Sequence, residues 1–355
     1  MASGSFGGRD MKQDLKISTV DTLIKHIKSV TMEEAEQELT AIYGERYLEY
    51  RRKWQLAGEL KYEPEFPLYI MLEQTYRCNM RCVSCIHGYP HLRKKFSLDV
   101  SCMPWELFER IVLEGEKNNC PSISTHNNDE PLLVKDLEKR IAFARQHGFM
   151  DVIMTTNGIA FTEERIKGII DAGVTRILFS IDALTEETYN KVRPKGNYRR
   201  VIKALEKARE YRASRGSHLP ILRASFVVNR LNQHELKQFI EEFSSLVDYI
   251  DVQPFCTYYD ANLELIPDGA RLIPESEYRC NGPWRCVVVR GNGDVLPCPN
   301  FYGVEMVMGN MYQNSIKEIF NSPAMKQLRR EFKEGIFRSP ACQACSRSVY
   351  EISMD

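Results

Sequence analysis

The chain has 355 residues, of which 43% are apolar and 27% charged, and its 48 basic residues balance 48 acidic ones. Such a composition describes a globular chain able to bury a large core, and the balanced charge gives no sign of a nucleic-acid or polyanion partner. No apolar run approaches the roughly 18 residues of a membrane span and no export signal is visible, so the eleven cysteines are expected to be metal ligands and free thiols in a reducing cytoplasm.

Met1 to Asp10 is rich in Gly and Ser and reads as a disordered tail. From about Val20 to Leu60 the pattern is helical: Leu23, Ile24 and Ile27 share a face, Thr31 is placed to cap the stretch starting at Met32, and Tyr43, Tyr47 and Tyr50 add aromatic bulk. Residues 1–65 are therefore expected to form a tail and a helical extension. The apolar run Phe66 to Leu72 reads as a strand, and Cys78-Asn79-Met80-Arg81-Cys82-Val83-Ser84-Cys85 follows it. Three thiols within eight residues suit a soft metal, whether an iron–sulfur cluster, zinc or copper(I). A structural zinc site is one alternative, because Cys82-x2-Cys85 and Cys342-x2-Cys345 could supply its four thiols.

The chain then alternates. Helical patterns over Met103 to Lys117, Val134 to His147, Glu163 to Ala172, Tyr198 to Tyr211 and Gln233 to Leu246 separate strand patterns over Ser122 to Thr125, Asp151 to Thr156, Thr175 to Ile181, Ile221 to Val228 and Tyr249 to Gln253. With the strand before the cysteines this makes six β/α repeats and predicts an α/β fold, a partial (β/α)6 TIM-like barrel over residues 66–256. Chemistry belongs at the carboxyl ends of such strands. Those ends carry His126 to Pro131, Thr155 to Gly158, Ser180 with Asp182, and Gln253 to Cys256. In the fifth strand Arg223 and Ser225 alternate with Leu222, Ala224 and Phe226, which puts a charge on one face of an apolar strand. A buried Arg needs an anionic partner, so this face is expected to line a ligand cavity.

Residues 257–355 are expected to form a connector and a small β-hairpin and helix domain. Thr257 to Arg279 is irregular, and Cys286 to Cys298 reads as a hairpin turning at Gly291-Asn292-Gly293. The hairpin brings Cys280 and Cys298 near each other, and after a helical stretch from Ser315 to Phe332 Cys342 and Cys345 supply a second pair. Four thiolates can close a tetranuclear iron–sulfur cluster or hold a zinc ion.

The spacing of Cys78, Cys82 and Cys85 resembles the cluster-binding loop of radical S-adenosylmethionine (SAM) enzymes. In that family three cysteines hold a [4Fe–4S] cluster, SAM chelates the remaining iron, and one electron cleaves SAM to a 5′-deoxyadenosyl radical. Asp129-Glu130-Pro131-Leu132 is similar to the family's Gly-Glu-Pro segment, with Asp129 in place of the usual Gly, and implies Glu130 for the SAM amino group. Thr156-Asn157-Gly158 resembles its Thr-Asn-Gly turn and implies Asn157. Phe179 to Ala183 with the trailing Arg193 resembles its Ser-Leu-Asp segment, implying Ser180 for the ribose and Arg193 for the carboxylate; Arg223 and Gln253 join this cofactor set. Ser84 departs from the aromatic or Met that often precedes the third cysteine. Downstream, Cys280, Gly293, Cys298, Cys342 and Cys345 resemble the SPASM and twitch extensions in their shorter, one-cluster form. Cys286 sits too close to Gly293 to be the first ligand and is expected to be a hairpin thiol.

The resemblance implies SAM and two [4Fe–4S] clusters as cofactors, one SAM-binding and one auxiliary, and a reducing partner such as flavodoxin or ferredoxin. It favours a small polar substrate, such as a sugar, aminocyclitol or sugar nucleotide, because the helical arm does not read as a strand-rich peptide clamp. The favoured reaction is oxidation of an alcohol to a ketone, with the auxiliary cluster as electron acceptor and His126 or Asp260 as base. Epimerisation with Cys256 as hydrogen donor, and peptide or protein maturation, are the alternatives within the family. A zinc-stabilised α/β binding protein is the alternative outside it.

Overall fold

The computed structural model describes residues 25–28 and 31–352. The tail expected over Met1 to Asp10, Leu23, Ile24 and the capping side chain of Thr31 lie outside what is described. The strands are β1 (Lys25–Lys28), β2 (Tyr69–Glu73), β3 (Ser122–Ser124), β4 (Asp151–Thr156), β5 (Arg176–Ser180), β6 (Ile221–Val227), β7 (Tyr249–Gln253), β8 (Phe255–Cys256), β9 (Arg271–Leu272), β10 (Cys286–Arg290), β11 (Asp294–Leu296), β12 (Gly309–Asn310) and β13 (Val349–Glu351). Ten of them form one sheet in the order β1-β7-β6-β5-β4-β3-β2-β10-β11-β12.

From β7 to β2 the neighbours are parallel, as the alternating pattern predicts, and among the described residues no pairing joins the two outer strands. The barrel is therefore partial. Ile27 corrects the helical reading of its stretch: it lies in β1, antiparallel to β7 and opposite Ile250. All four residues of this stretch pair with β7, and a sequence carrying two lysines suits an edge strand. The hairpin also does more than expected. β10 pairs parallel to β2, with Cys286 opposite Tyr69 and Arg290 opposite Glu73, so the auxiliary hairpin extends the barrel sheet.

The strands present two faces. Ile70, Ile123, Val152, Met154, Ile177, Phe179, Leu222, Ala224, Phe226, Ile250 and Val252 are buried in the main core. The alternate positions Tyr69, Met71, Thr155, Leu178, Ser180, Arg223, Ser225, Val227 and Gln253 line an interior cavity instead. The core face carries helices α4 (Trp105–Lys117), α5 (Leu137–Gln146), α6 (Glu163–Asp171), α8 (Tyr198–Ser214) and α9 (Leu236–Phe243), while α3 (Pro90–Lys95) and α7 (Glu186–Val192) are short connecting pieces. Local sequence starts several of them: Thr162, Thr185 and Asn197 each accept a backbone N–H three residues on.

The N-terminal arm, α1 (Thr31–Tyr43) and α2 (Glu45–Gly58), closes the amino end of the barrel. Ala35, Leu39, Tyr47 and Tyr50 pack on Met150, Ile221 and Tyr249, which stand at the starts of β4, β6 and β7. Beneath them Arg176 pairs with Asp151 at 2.9 Å and Glu36 at 3.3 Å and donates to the Tyr47 hydroxyl at 2.7 Å. In the C-terminal region, α10 (Gly282–Arg285) precedes β10. The expected helix from Ser315 to Phe332 is two helices, α11 (Ile316–Phe320) and α12 (Pro323–Lys333), because Ser322 caps a new start and Pro323 cannot continue the old one. α13 (Pro340–Ser346) follows, and β13 pairs with β8 and β9 in a second, three-stranded sheet. No helix among the described residues is long and apolar enough to cross a membrane.

Candidate functional site

The first three thiols sit on a loop tied down at both ends. At its start Asp129 accepts from the backbone N–H groups of Gln74 at 2.8 Å and Thr75 at 3.0 Å. Further along, Arg81 and Val83 donate backbone N–H groups to Pro194 and Val192 at 3.1 and 3.0 Å. Two side chains reach the sulfurs from outside the loop: Asn157 Nδ2 is 3.7 Å from Cys78 and Arg193 Nη1 is 3.5 Å from Cys82. Burial pushes the Cys82 thiol up to about 12, against the pull of Arg193, and raises Cys78 and Cys85, with neighbouring thiols adding to the effect at Cys78. Bare, these thiols keep their protons; a cationic centre among them would reverse that preference. Three soft sulfurs, one buried guanidinium and an unpartnered Arg193 Nε therefore fit an iron–sulfur cluster with an anionic co-ligand.

The strand ends place the other expected residues. Glu130 is buried and accepts from Thr156 Oγ1 at 2.6 Å, Asn157 N at 2.8 Å and Leu132 N at 3.1 Å, so its carboxylate braces the turn after β4. Ser180, Arg193, Arg223 and Gln253 all line the interior cavity. Arg193 is held by Asp182 at 2.5 Å, and Asp182 also accepts from Val227 N at 2.8 Å. The anion expected for Arg223 comes from the chain itself: Asp251 on β7 pairs with it, the Tyr249 ring lies 4.4 Å from the guanidinium, and Nε is left without a partner.

The two base candidates need correction. His126 faces the cavity, but Nδ1 accepts from Thr155 N at 3.0 Å, and burial, then Arg223, pulls its pKa down to about 3. The imidazole is neutral with its proton on Nε2, which makes it a hydrogen-bond donor. Asp260 is exposed on the turn after β8 and is not among the cavity-lining residues. Cys256 sits in β8 opposite Val349 and off the cavity wall, with its thiol pushed up to about 12 by burial.

The second thiol set converges. Cys280, Cys298, Cys342 and Cys345 line the same cavity of about 530 Å3 as the strand-end residues, and Cys286 joins them as a buried hairpin thiol. Burial, followed by the other thiols of the set, pushes Cys298 and Cys342 up to about 12 and Cys280 well above its ordinary value. Two glycines let these sulfurs approach: a Cβ at Gly282 would lie 2.9 Å from Cys298 Cβ, and one at Gly303 would lie 2.7 Å from the Cys298 sulfur. Gly293 turns the hairpin at φ 87°, a conformation that suits glycine. Among the described residues no three His, Cys, Asp or Glu side chains converge on a single-ion site. Sequence reasoning missed Tyr278, whose hydroxyl is 3.6 Å from the Cys345 sulfur, Met306, whose sulfur is 3.3 Å from that of Cys342, and Trp54, which walls the cavity. Only Trp54 left a signal, the helical face it shares with Tyr47 and Tyr50.

Comparison with known proteins agrees with this geometry. The radical SAM superfamily model matches residues 72–243, and that of the SPASM iron–sulfur cluster-binding domain matches residues 280–346. The chain therefore carries a radical SAM superfamily domain and, downstream of it, a SPASM domain. Its cofactors are SAM and [4Fe–4S] clusters. It is 26% identical over 217 residues to a GTP 3',8-cyclase of Clostridium botulinum, a match that takes in 58% of this chain and 65%, just under two thirds, of the cyclase. It is 24% identical over 320 residues to the tungsten-containing aldehyde ferredoxin oxidoreductase cofactor-modifying protein of Pyrococcus furiosus, covering 78% of this chain and 87% of that one. Among solved structures, Streptococcus suis SuiB bound to S-adenosylmethionine superposes with a TM-score of 0.57 at 16% identity, over 84% of this chain and 82% of SuiB. That likeness is one of fold.

Proposed function

We propose that this is a radical SAM oxidoreductase whose residues 66–256 hold the SAM-binding cluster on Cys78, Cys82 and Cys85. In the same reading residues 257–355 hold an auxiliary cluster on Cys280, Cys298, Cys342 and Cys345. Its substrate is a small polar molecule, such as a sugar, aminocyclitol or sugar nucleotide, and the net reaction oxidises an alcohol to a ketone, with the carbon-bound hydrogen atom leaving to the radical, one electron to the auxiliary cluster and the hydroxyl proton to solvent. The supporting observation is the shared cavity, where the second thiol set and the strand-end residues Ser180, Arg193, Arg223 and Gln253 face one volume. At about 530 Å3 the cavity falls in the usual range for small-molecule sites.

Bound in these places, SAM and its cluster supply a hydrogen-abstracting radical and the auxiliary cluster an electron acceptor. The chain's own residues prepare the volume between them. Arg193 offsets negative charge at Cys82 while Asp182 keeps its guanidinium in place. His126 presents Nε2–H and Arg223 its unpartnered Nε to a substrate oxygen. Donors aimed at that oxygen stabilise the charge that builds there as the carbon is oxidised. Trp54 and Tyr69, in edge contact with ring centres 5.9 Å apart, wall the cavity where the helical arm meets β2.

A substrate the size of a nucleotide agrees with the name of the GTP cyclase relative. Peptide modification is the second reading, favoured by SuiB, a structure of which is bound to its precursor peptide SuiA. The test is iron and sulfide content with electron paramagnetic resonance on anaerobically reconstituted protein, comparing wild type with a Cys78/Cys82/Cys85→Ala triple variant. The expected result is about eight irons falling to about four, with SAM perturbing only the wild-type signal. About four irons in the wild type would sink the electron-acceptor argument. Turnover that consumes peptides and leaves sugars and nucleotides untouched would replace the small-molecule reading by the second.

A further inference from the structure

We infer that the N-terminal helical arm is part of the auxiliary cluster site, with Trp54 and Gly58 of α2 positioning the Cys280-bearing turn through Arg285. The inference rests on Cys280 being a cluster ligand, as proposed above.

Arg285 ends α10, the single turn between Cys280 and β10. Its guanidinium lies 4.5 Å from the centre of the Trp54 ring, and its Nε donates to the Trp54 carbonyl at 3.1 Å. Gly58, one turn further along α2, leaves the space the guanidinium occupies: a Cβ there would stand 1.7 Å from Arg285 Nη2 and 2.5 Å from Cζ. Between Cys280 and Arg285, Asn281 Nδ2 donates to the Gly58 carbonyl at 3.4 Å. The last turn of α2 thus offers two carbonyls and an aromatic face to the residues that directly follow one cysteine. The Gly58 carbonyl, at the helix end, lacks a partner within the helix and favours an amide donor, while the negative dipole end and the Trp54 ring favour a cation.

The opposite face of the turn is held as firmly. Arg329, 1% exposed, donates Nε to the Pro283 carbonyl at 2.9 Å and Nη2 to the Phe320 carbonyl at 2.9 Å. Between these two grips Cys280 belongs to no strand, since β10 begins only at Cys286. Its distance from Cys298 is then set by how α10 is seated, and Gly282 already packs as closely on Cys298 as a missing side chain allows. Trp54 lines the same cavity as Cys280 and rests edge-on against Tyr69 of β2, ring centres 5.9 Å apart. The arm is therefore joined both to the barrel strand that leads to the first thiol set and to the turn that carries the second.

Arg285→Ala and Gly58→Ala test the link, with Arg285→Lys as the conservative variant and Leu48→Ala, on the exposed side of the same helix, as a control for general damage to the arm. The readouts are iron per chain and the resonance spectrum of the reduced, reconstituted full-length protein. Both alanine variants are expected to lose about half the iron and the auxiliary signal while keeping the SAM-responsive one, and Arg285→Lys to recover part of it. Full iron and an unchanged auxiliary signal in Arg285→Ala would overturn the inference. Arg285→Ala adds no atoms, so it decides the matter even where Gly58→Ala fails to fold. A wild type holding only about four irons would instead overturn the reading of Cys280 as a ligand, and that appears without any substitution.

Discussion

Arg193 joins Asp182 to Cys82, with one guanidinium nitrogen 2.5 Å from the carboxylate and another 3.5 Å from the sulfur. All three are buried, so neither charge is free of the other. Arg193→Met leaves Asp182 buried without its cation, at a cost of about 3–5 kcal/mol in apoprotein stability. It also strips the first thiol set of its positive neighbour, and the SAM-responsive resonance signal should weaken or vanish. Urea titration of the apoprotein and spectra of the loaded protein check the two halves; an unchanged urea midpoint would refute the first.

Asp129 and His126 carry opposite pH signatures. Burial, then Glu73, pushes Asp129 up to about 7, while burial, then Arg223, pulls His126 down to about 3. Between about pH 4 and 7 the folded chain keeps a proton on Asp129 that the unfolded chain has released, so this contribution to stability falls as pH rises. Between about pH 3 and 6.5 the unfolded chain binds a proton at His126 that the folded chain does not, so that contribution rises with pH. Asp129→Asn should make stability climb more steeply with pH than wild type over this shared window, and His126→Gln less steeply. Each change in slope is bounded by about 1.4 kcal/mol per pH unit. Parallel midpoint curves for the three proteins would contradict the assignment.

The contact between β10 and β2 is also a salt bridge. Arg290 Nε lies 2.6 Å from Glu73, which is fully buried and also takes the side-chain amides of Asn128 at 3.2 Å and Asn127 at 3.4 Å. Arg290→Met should cost about 3–5 kcal/mol, because it leaves the Glu73 carboxyl buried without its guanidinium partner. Arg290→Met combined with Glu73→Gln should cost less than the sum of the single changes. A double-mutant cycle by thermal unfolding tests this, and additivity would show the pair to be uncoupled.

Tyr278 provides a spectroscopic test of the auxiliary site. Its hydroxyl is 3.6 Å from the Cys345 sulfur, and a ligating thiolate can only accept in that contact. Hydrogen bonds to ligand sulfurs help set a cluster's reduction potential, and losing one favours the oxidised form. Tyr278→Phe should therefore retain its iron and shift the auxiliary midpoint to a lower value in a potentiometric titration. No shift would mean that the hydroxyl points elsewhere in the loaded protein.

Cys256→Ala separates oxidation from epimerisation. The thiol lies off the cavity wall, so the substitution should cost less than about 1 kcal/mol in transition-state stabilisation on the oxidation reading. A collapse of turnover, with deuterium from solvent no longer entering the product, would restore Cys256 as a hydrogen donor.

The six barrel strands were legible because each is a short apolar run bounded by turn residues. The place of β10 was not, since Val287 to Val289 announce a strand without naming its neighbour, and Arg290 meets Glu73 across 217 residues of chain. Spacing drew attention to the cysteines. It could not tell which nitrogen of His126 was free, because the donor that occupies Nδ1 is a backbone group on β4. Asp260 was a candidate base by residue type alone, and the turn after β8 carries it into solvent. Tyr278 and Met306 carry no pattern that sets them apart from ordinary core residues, and only the folded chain brings them to sulfur.

The pairing of β10 with β2 also bears on how the protein is made. The strand that leads into the first three cysteines emerges from the ribosome early, and its covering partner follows only after the other barrel strands. Until then one side of β2 offers bare backbone donors and acceptors beside Ile70 and Leu72, a template for pairing with another nascent chain. The β10–β2 pairing therefore seals, late in synthesis, an edge that stays open while most of the barrel is being made.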